Sequence, residues 1–155
     1  METAIAKAVL LFRTSTEMDD EQIHRALVDA GIDRQLAARL VELVPMAYCR
    51  VLLADTGARF PETFQRYRDD GTTTPAMPLA SEPVWVAAME FAKREIERGL
   101  SRDDKLRVAG RSAAFRAANE LLHKGSKLED LGFTPSVFMW PEEGPGSDSP
   151  VPRKP

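Results

Sequence analysis

Residues 18–52 read MDDEQIHRALVDAGIDRQLAARLVELVPMAYCRVL, and this stretch decides the fold class. Asp19 is placed to cap the free N–H groups of a helix, and Gln22, three residues on, can reach back to complete a capping box. Met18 and Ile23 have the spacing of a hydrophobic staple, and the acidic residues Asp20 and Glu21 suit the positive end of the helix dipole. Ile23, Leu27 and Ala30 then mark a buried face up to Gly31, the residue type that most easily takes the left-handed turn ending a helix. Asp33 opens a second helix. Along it Leu36, Leu40, Leu43, Val44, Ala47, Val51 and Leu52 recur at intervals of three and four, one apolar stripe along one face. Pro45 interrupts that stripe: it lacks an N–H and crowds the carbonyl of Val41, so a kink or break is expected there.

Working outward, the same signals repeat. Pro61 suits a first helical turn, and Phe60, Phe64 and Tyr67 would share one helical face up to Gly71. GTTTPAMPLA, residues 71–80, has no period and two prolines, and reads as a loop. Ser81 is expected to cap a helix carrying Trp85, Met89, Ala92 and Ile96, stopped by Gly99. Ser101 with Asp104 opens another, running to about His123. Its small residues Leu106, Gly110, Ala113, Ala117 and Leu121 suggest a closely packed inner face and a central position. Ser126 with Glu129 caps a further turn, and Thr134-Pro135 is expected to begin a short helical segment ending near Trp140. No hairpin-bounded alternation of apolar and polar residues stands out, and residues 8–12 alone are ambiguous between helix and strand. The expected fold class is therefore all-α: an irregular bundle of five to seven helices over residues 1–140, kinked at Pro45. Residues 141–155 hold five prolines and two glycines. They are expected to form a disordered tail, because so little apolar area cannot offset the entropy of ordering.

Composition narrows function mainly by exclusion. At 155 residues, with 43% hydrophobic and 29% charged residues, the chain is long enough for a core without disulfides or metals. A net charge of −3 gives no general attraction to nucleic acid or anionic membrane. Cys49 stands alone, and the N-terminal apolar run from Ala8 to Phe12 is short and lacks a basic leader, so a cytoplasmic location is expected. No apolar stretch approaches the ~18 residues of a membrane-spanning helix. Fifteen arginines against six lysines, with abundant Ala, suggest a bacterial source.

Candidate chemistry is sparse. His24 and His123 have no His, Cys or carboxylate partner at metal-binding spacing. The acidic groups Asp19–Glu21 and Asp103–Asp104 fall in helix first turns, where capping accounts for them. No phosphate-cradling glycine loop, nucleophile elbow or dinucleotide fingerprint occurs, so no cofactor, metal site or catalytic residue is expected. Two capped helices at residues 19–44 have the outline of a helix-turn-helix, with Arg34, Gln35 and Arg39 on the second, but Glu42 and the acidic first turn oppose a phosphate field. Arg107 and Arg111, one helical turn apart near Lys105 and Arg116, offer a basic docking face, with Lys124 and Lys127 beyond. Met77 in the loop and Trp140 before the tail are residue types that anchor interfaces. The expected function is thus a non-enzymatic cytosolic protein-binding module of the adaptor, inhibitor or immunity type, with Arg107, Arg111, Met77 and Trp140 as partner contacts. A DNA-binding regulator using residues 19–44 is the alternative, and an enzyme whose site only the fold assembles is third.

Overall fold

The computed structural model describes residues 1–133 and the backbone of residues 136–138. Among these residues six α-helices dominate: α1 (Glu2–Thr14), α2 (Asp20–Asp29), α3 (Arg34–Leu52), α4 (Pro83–Glu97), α5 (Arg102–Ala109) and α6 (Ala113–His123). The fold is an irregular all-α bundle, and α3 runs through its centre against α1, α2, α4, α5 and α6. The two helix starts expected from residues 18–35 form as the chemistry requires. The Gln22 N–H donates to Asp19 Oδ1 at 2.8 Å, the Asp19 N–H donates to Gln22 Oε1 at 2.9 Å, and Asp33 caps α3 through the N–H groups of Gln35 and Leu36. Gly31 turns the chain between them at φ +94°, which lets the Ile32 N–H reach back to the Leu27 carbonyl.

The helix α3 passes through Pro45 without a break. Pro45 is itself buried, so the ring fills core volume at the point where one backbone hydrogen bond is missing. Leu40, Leu43, Val44 and Ala47 are fully enclosed together with Tyr48 and Cys49. The ambiguous residues 8–12 lie in α1, which buries Ile5, Ala8, Val9 and Phe12 at helical spacing. In α4 the buried face is Val84, Trp85, Ala88, Phe91 and Ala92, while Met89 and Ile96 are half-buried at its edge.

Three short strands correct the expectation of helix at 60–71 and, within the segment expected at 134–140, at the described residues 136–138. Thr63–Arg66 forms β1, Met77–Pro78 forms β2 and Ser136–Phe138 forms β3. The sheet order is β2-β1-β3, with β2 antiparallel and β3 parallel to β1. Phe64 and Arg66 point inward while Thr63 and Gln65 are half-exposed, so β1 does alternate. A buried arginine disguises that alternation in the sequence. A turn at Leu79–Ser81 leads into α4, whose cap is Glu82 rather than Ser81; the Ser81 hydroxyl instead donates to the Pro78 carbonyl.

The expected helix at 101–123 is two helices. At Gly110 and Arg111 the chain tightens, the Arg111 N–H bonding to the Val108 carbonyl and the Ser112 N–H to that of Ala109, and Ser112 then adopts an extended ψ of 129°. The register of α6 is consequently the reverse of the one expected. Ala118 faces the core, whereas Ala113, Ala117 and Leu121 face out, as does Leu106 on α5. The pair is peripheral, and α3 holds the central position. Trp140 and the expected tail at 141–155 lie outside the described residues.

Candidate functional site

The α5–α6 break brings the two sequence-nominated arginines to one open cleft of about 670 Å³ opposite the start of α2, lined by Asp19, Asp20, Glu21, Arg107, Arg111 and Arg116. Arg111 is not a free docking charge. Its Nη2 donates to the Ser15 carbonyl at 3.0 Å, its Nη1 lies 3.6 Å from Asp20 Oδ1, and its guanidinium sits 5.1 Å above the Phe12 ring. With a side chain 13% exposed, it ties the α5–α6 junction to the α1–α2 turn. Desolvation lifts the Asp20 carboxyl above its usual pKa, against the pull of Arg111 and Arg116. Arg107 is half exposed and donates to Asp104 Oδ1 at 3.1 Å. Asp104 also receives Arg13 at 2.9 Å. Its carboxyl is desolvated, but the bonds and charges of Arg13, Ser101 and Arg107 together hold its pKa below the usual range.

Met77 lies elsewhere. It is half-buried in β2, in register with Phe64, and packs on the core, so it does not project as an anchor. Trp140 lies outside the described residues.

What the sequence did not suggest is the outward face of α6. Ala113, Ala117 and Leu121 repeat every four residues along it, and Leu121 is 43% exposed. Charged residues border that strip: Arg116 is set about 60° round the helix from Ala113 and Glu120 about 20°, and Lys124 follows one turn beyond Glu120 with a 3.4 Å ion pair between them. Residues 101–127 hold seven Lys/Arg and three Asp/Glu in a chain whose net charge is −3. An acidic protein therefore carries one basic arm with an apolar strip.

The helix-turn-helix outline at residues 19–44 is real as a hairpin, α2 packing on α3 across Gly31. Its second helix, however, is the most enclosed in the fold. Arg39 turns inward to within 4.0 Å of Glu82. Arg34 is exposed, but its backbone carbonyl pairs with His24 Nε2 at 3.1 Å, which accounts for a buried histidine as a link between α2 and α3.

A second concavity, of about 310 Å³, opens between α3, α4 and the start of α6. It is lined by aromatic residues from distant parts of the chain, among them Phe60, Trp85 and Phe133, and by Cys49, Arg50 and Ser112. Burial pushes the Cys49 thiol up to about 12, a side-chain contact with the Ser112 hydroxyl pulling the other way, so the sulfur stays protonated at neutral pH. A protonated, enclosed thiol is a poor nucleophile and a poor metal ligand.

Among the described residues no group of three or more His, Cys, Asp or Glu is placed to hold a metal ion, and no helix is long and apolar enough to cross a membrane. No family model, curated protein or solved structure matches this chain.

Proposed function

We propose that this chain is a non-enzymatic protein-binding module, of the adaptor, inhibitor or immunity type, that docks an acidic partner through its α5–α6 arm. The observation that carries the reading is the outward strip of α6, Ala117 and Leu121, bordered by Arg116 and the Glu120–Lys124 pair, on an arm with a basic excess in a chain that is acidic elsewhere. Small side chains let a partner helix or strand approach closely, and an apolar strip within a charged rim is the composition of a recognition surface. The surrounding basic charge sets which partner approaches and how fast, more than how tightly it is held. DNA reading through residues 19–44 is the weaker alternative, since it asks Arg39 to leave Glu82 and face a groove.

A photo-crosslinking residue at position 117 or 121 tests the proposal in cells of the native host. The expected outcome is one protein captured from either position and none from position 90 on the exposed side of α4. Charge reversal at Arg116 and Lys124 should slow association with that protein, most strongly at low salt. Selective duplex binding that disappears in Arg39→Ala would overturn the proposal in favour of a DNA-binding regulator.

A further inference from the structure

The 310 Å³ cavity between α3, α4 and α6 is separate from the outward strip of α6, the two sharing only Ala113 at their border. We infer that this cavity binds a small uncharged aromatic molecule carrying one hydrogen-bonding group, a bicyclic phenol being the simplest member of the class.

Three features converge on that ligand. The volume lies at the lower end of the ~300–1,000 Å³ range of small-molecule sites, enough for a bicyclic ring system. The lining is aromatic and already organised: Phe60 and Phe133 stack with centroids 5.0 Å apart and planes 15° from parallel, and Trp85 lies on the same cavity. Such walls favour a flat π-system, which can stack in offset or edge-on geometry.

The third feature is Ser112. Its residue is 4% exposed and lines the cavity; its buried Oγ meets no nitrogen or oxygen partner within the fold, and the Cys49 thiol beside it is a weak one. Although it occupies the first position before α6, its side chain does not cap that helix. A thiol is a weak substitute for an oxygen partner, and a ligand hydroxyl or carbonyl met by rotation of the Ser112 side chain would supply the stronger one.

Charge on the ligand is disfavoured by the same lining. Cys49 presents a neutral thiol. Arg50 already donates to the Pro61 carbonyl at 3.1 Å and to Glu62 Oε1 at 2.8 Å, and its guanidinium lies 5.2 Å over the Phe60 ring. A carboxylate entering the cavity would have to displace that arrangement and lose its own hydration.

Titration of the full chain with 2-naphthol, followed through backbone amide NMR shifts, tests the site. The expected result is saturable, sub-millimolar binding with shifts centred on Cys49, Trp85, Ser112 and Ala114. Ser112→Ala removes only the weak contact with the Cys49 thiol and should weaken 2-naphthol about five- to tenfold, the worth of one neutral hydrogen bond. 2-Methylnaphthalene, which lacks the hydroxyl, should bind wild type and Ser112→Ala equally. 2-Naphthoate should bind wild type more weakly than 2-naphthol. Ala114→Phe, which fills the space, should abolish binding while its circular dichroism stays native. If that variant does not fold, the Ser112→Ala comparison decides. Shifts absent at about 1 mM 2-naphthol, shifts confined to the outer face of α6, unchanged affinity in Ser112→Ala, or tighter binding of 2-naphthoate would each overturn the assignment.

Discussion

Arg66 Nη2 on β1 lies 3.0 Å from Glu82 Oε2 at the start of α4, and both side chains are almost wholly enclosed, at 5% and 7% exposure. The same carboxylate accepts the Val84 N–H at the helix start and lies 4.0 Å from Arg39 of α3. One group thus links sheet, cap and central helix. Removing it takes this counter-charge from a buried Arg66, and breaking a buried pair from one side typically costs ~3–5 kcal/mol. Glu82→Ala should therefore lower the stability measured by chemical denaturation by that order. Arg66→Met combined with Glu82→Gln should recover much of the loss. A loss under ~1 kcal/mol in the single variant would mean that water reaches the pair.

Tyr48 is expected to behave in the opposite sense. Its side chain is fully enclosed and its hydroxyl has no hydrogen-bond partner, and burial, aided by the nearby Glu95, drives its pKa far upward. Tyr48→Phe deletes an unsatisfied polar atom and keeps the ring. Thermal unfolding should show a melting temperature equal to or above that of wild type, since removing an unpaired hydroxyl is neutral or stabilising. A clear drop would reveal a bound water partner for the hydroxyl.

Cys49 carries a pH signature. Its thiol moves from 9.0 to about 12 on folding, because burial disfavours the thiolate. The folded chain then keeps a proton that the unfolded chain releases. The contribution is complete below about pH 9 and declines as pH rises towards about 12. Cys49→Ala should accordingly show a shallower fall in stability between pH 8 and pH 10.5 than wild type. In the native protein at pH 8, a disulfide reagent such as DTNB should react only at the rate of unfolding.

Leu40 sits at the centre of the α3 stripe with no exposed surface. Leu40→Ala should cost ~2–5 kcal/mol in chemical denaturation, from lost transfer energy and the cavity left behind. A value under ~1 kcal/mol would place this stretch of α3 against solvent.

Gly110 gives a substitution whose sign helix propensity gets wrong. Ala is the better helix former by roughly 1 kcal/mol, so Gly110→Ala between two helices looks stabilising. A Cβ at this position, however, would meet the Leu106 carbonyl oxygen at 2.6 Å, and that atom accepts the Gly110 N–H. The expected result is a lower melting temperature, with a loosened α5–α6 junction visible as faster amide exchange at Arg111 and Ser112.

How far the sequence was legible depends on where polar atoms ended up. The Asp19–Gln22 box, the Gly31 turn and the Leu36–Leu52 stripe could be read directly, because local caps and an apolar period determine them. β1 was hidden since one of its two inward residues is Arg66, and a charged residue in the core breaks the apolar alternation by which strands are recognised. Its pairing with β3 spans some seventy residues, beyond any local signal. The face of α6 was misread because Leu106 and Gly110 belong to a different helix. Ser112 ends the common period, so the register from Ala113 onward starts afresh. The cavity was illegible for a similar reason, its aromatic walls coming from positions 60, 85 and 133.

The segment around Leu131–Phe133 closes over residues 59–60, the Arg59 N–H bonding to the Leu131 carbonyl and the Phe133 N–H to the Arg59 carbonyl, each at 2.9 Å. That clasp joins stretches of the chain some seventy residues apart, whereas α1, α2 and α3 meet through neighbours in sequence. Long loops close late, after local helices have formed, so the aromatic wall of the cavity should be among the last features to appear as the protein folds. Contacts made after the folding barrier mainly govern how quickly the native state is lost. An occupant of the cavity would then leave the folding rate almost untouched and lengthen the lifetime of the folded molecule.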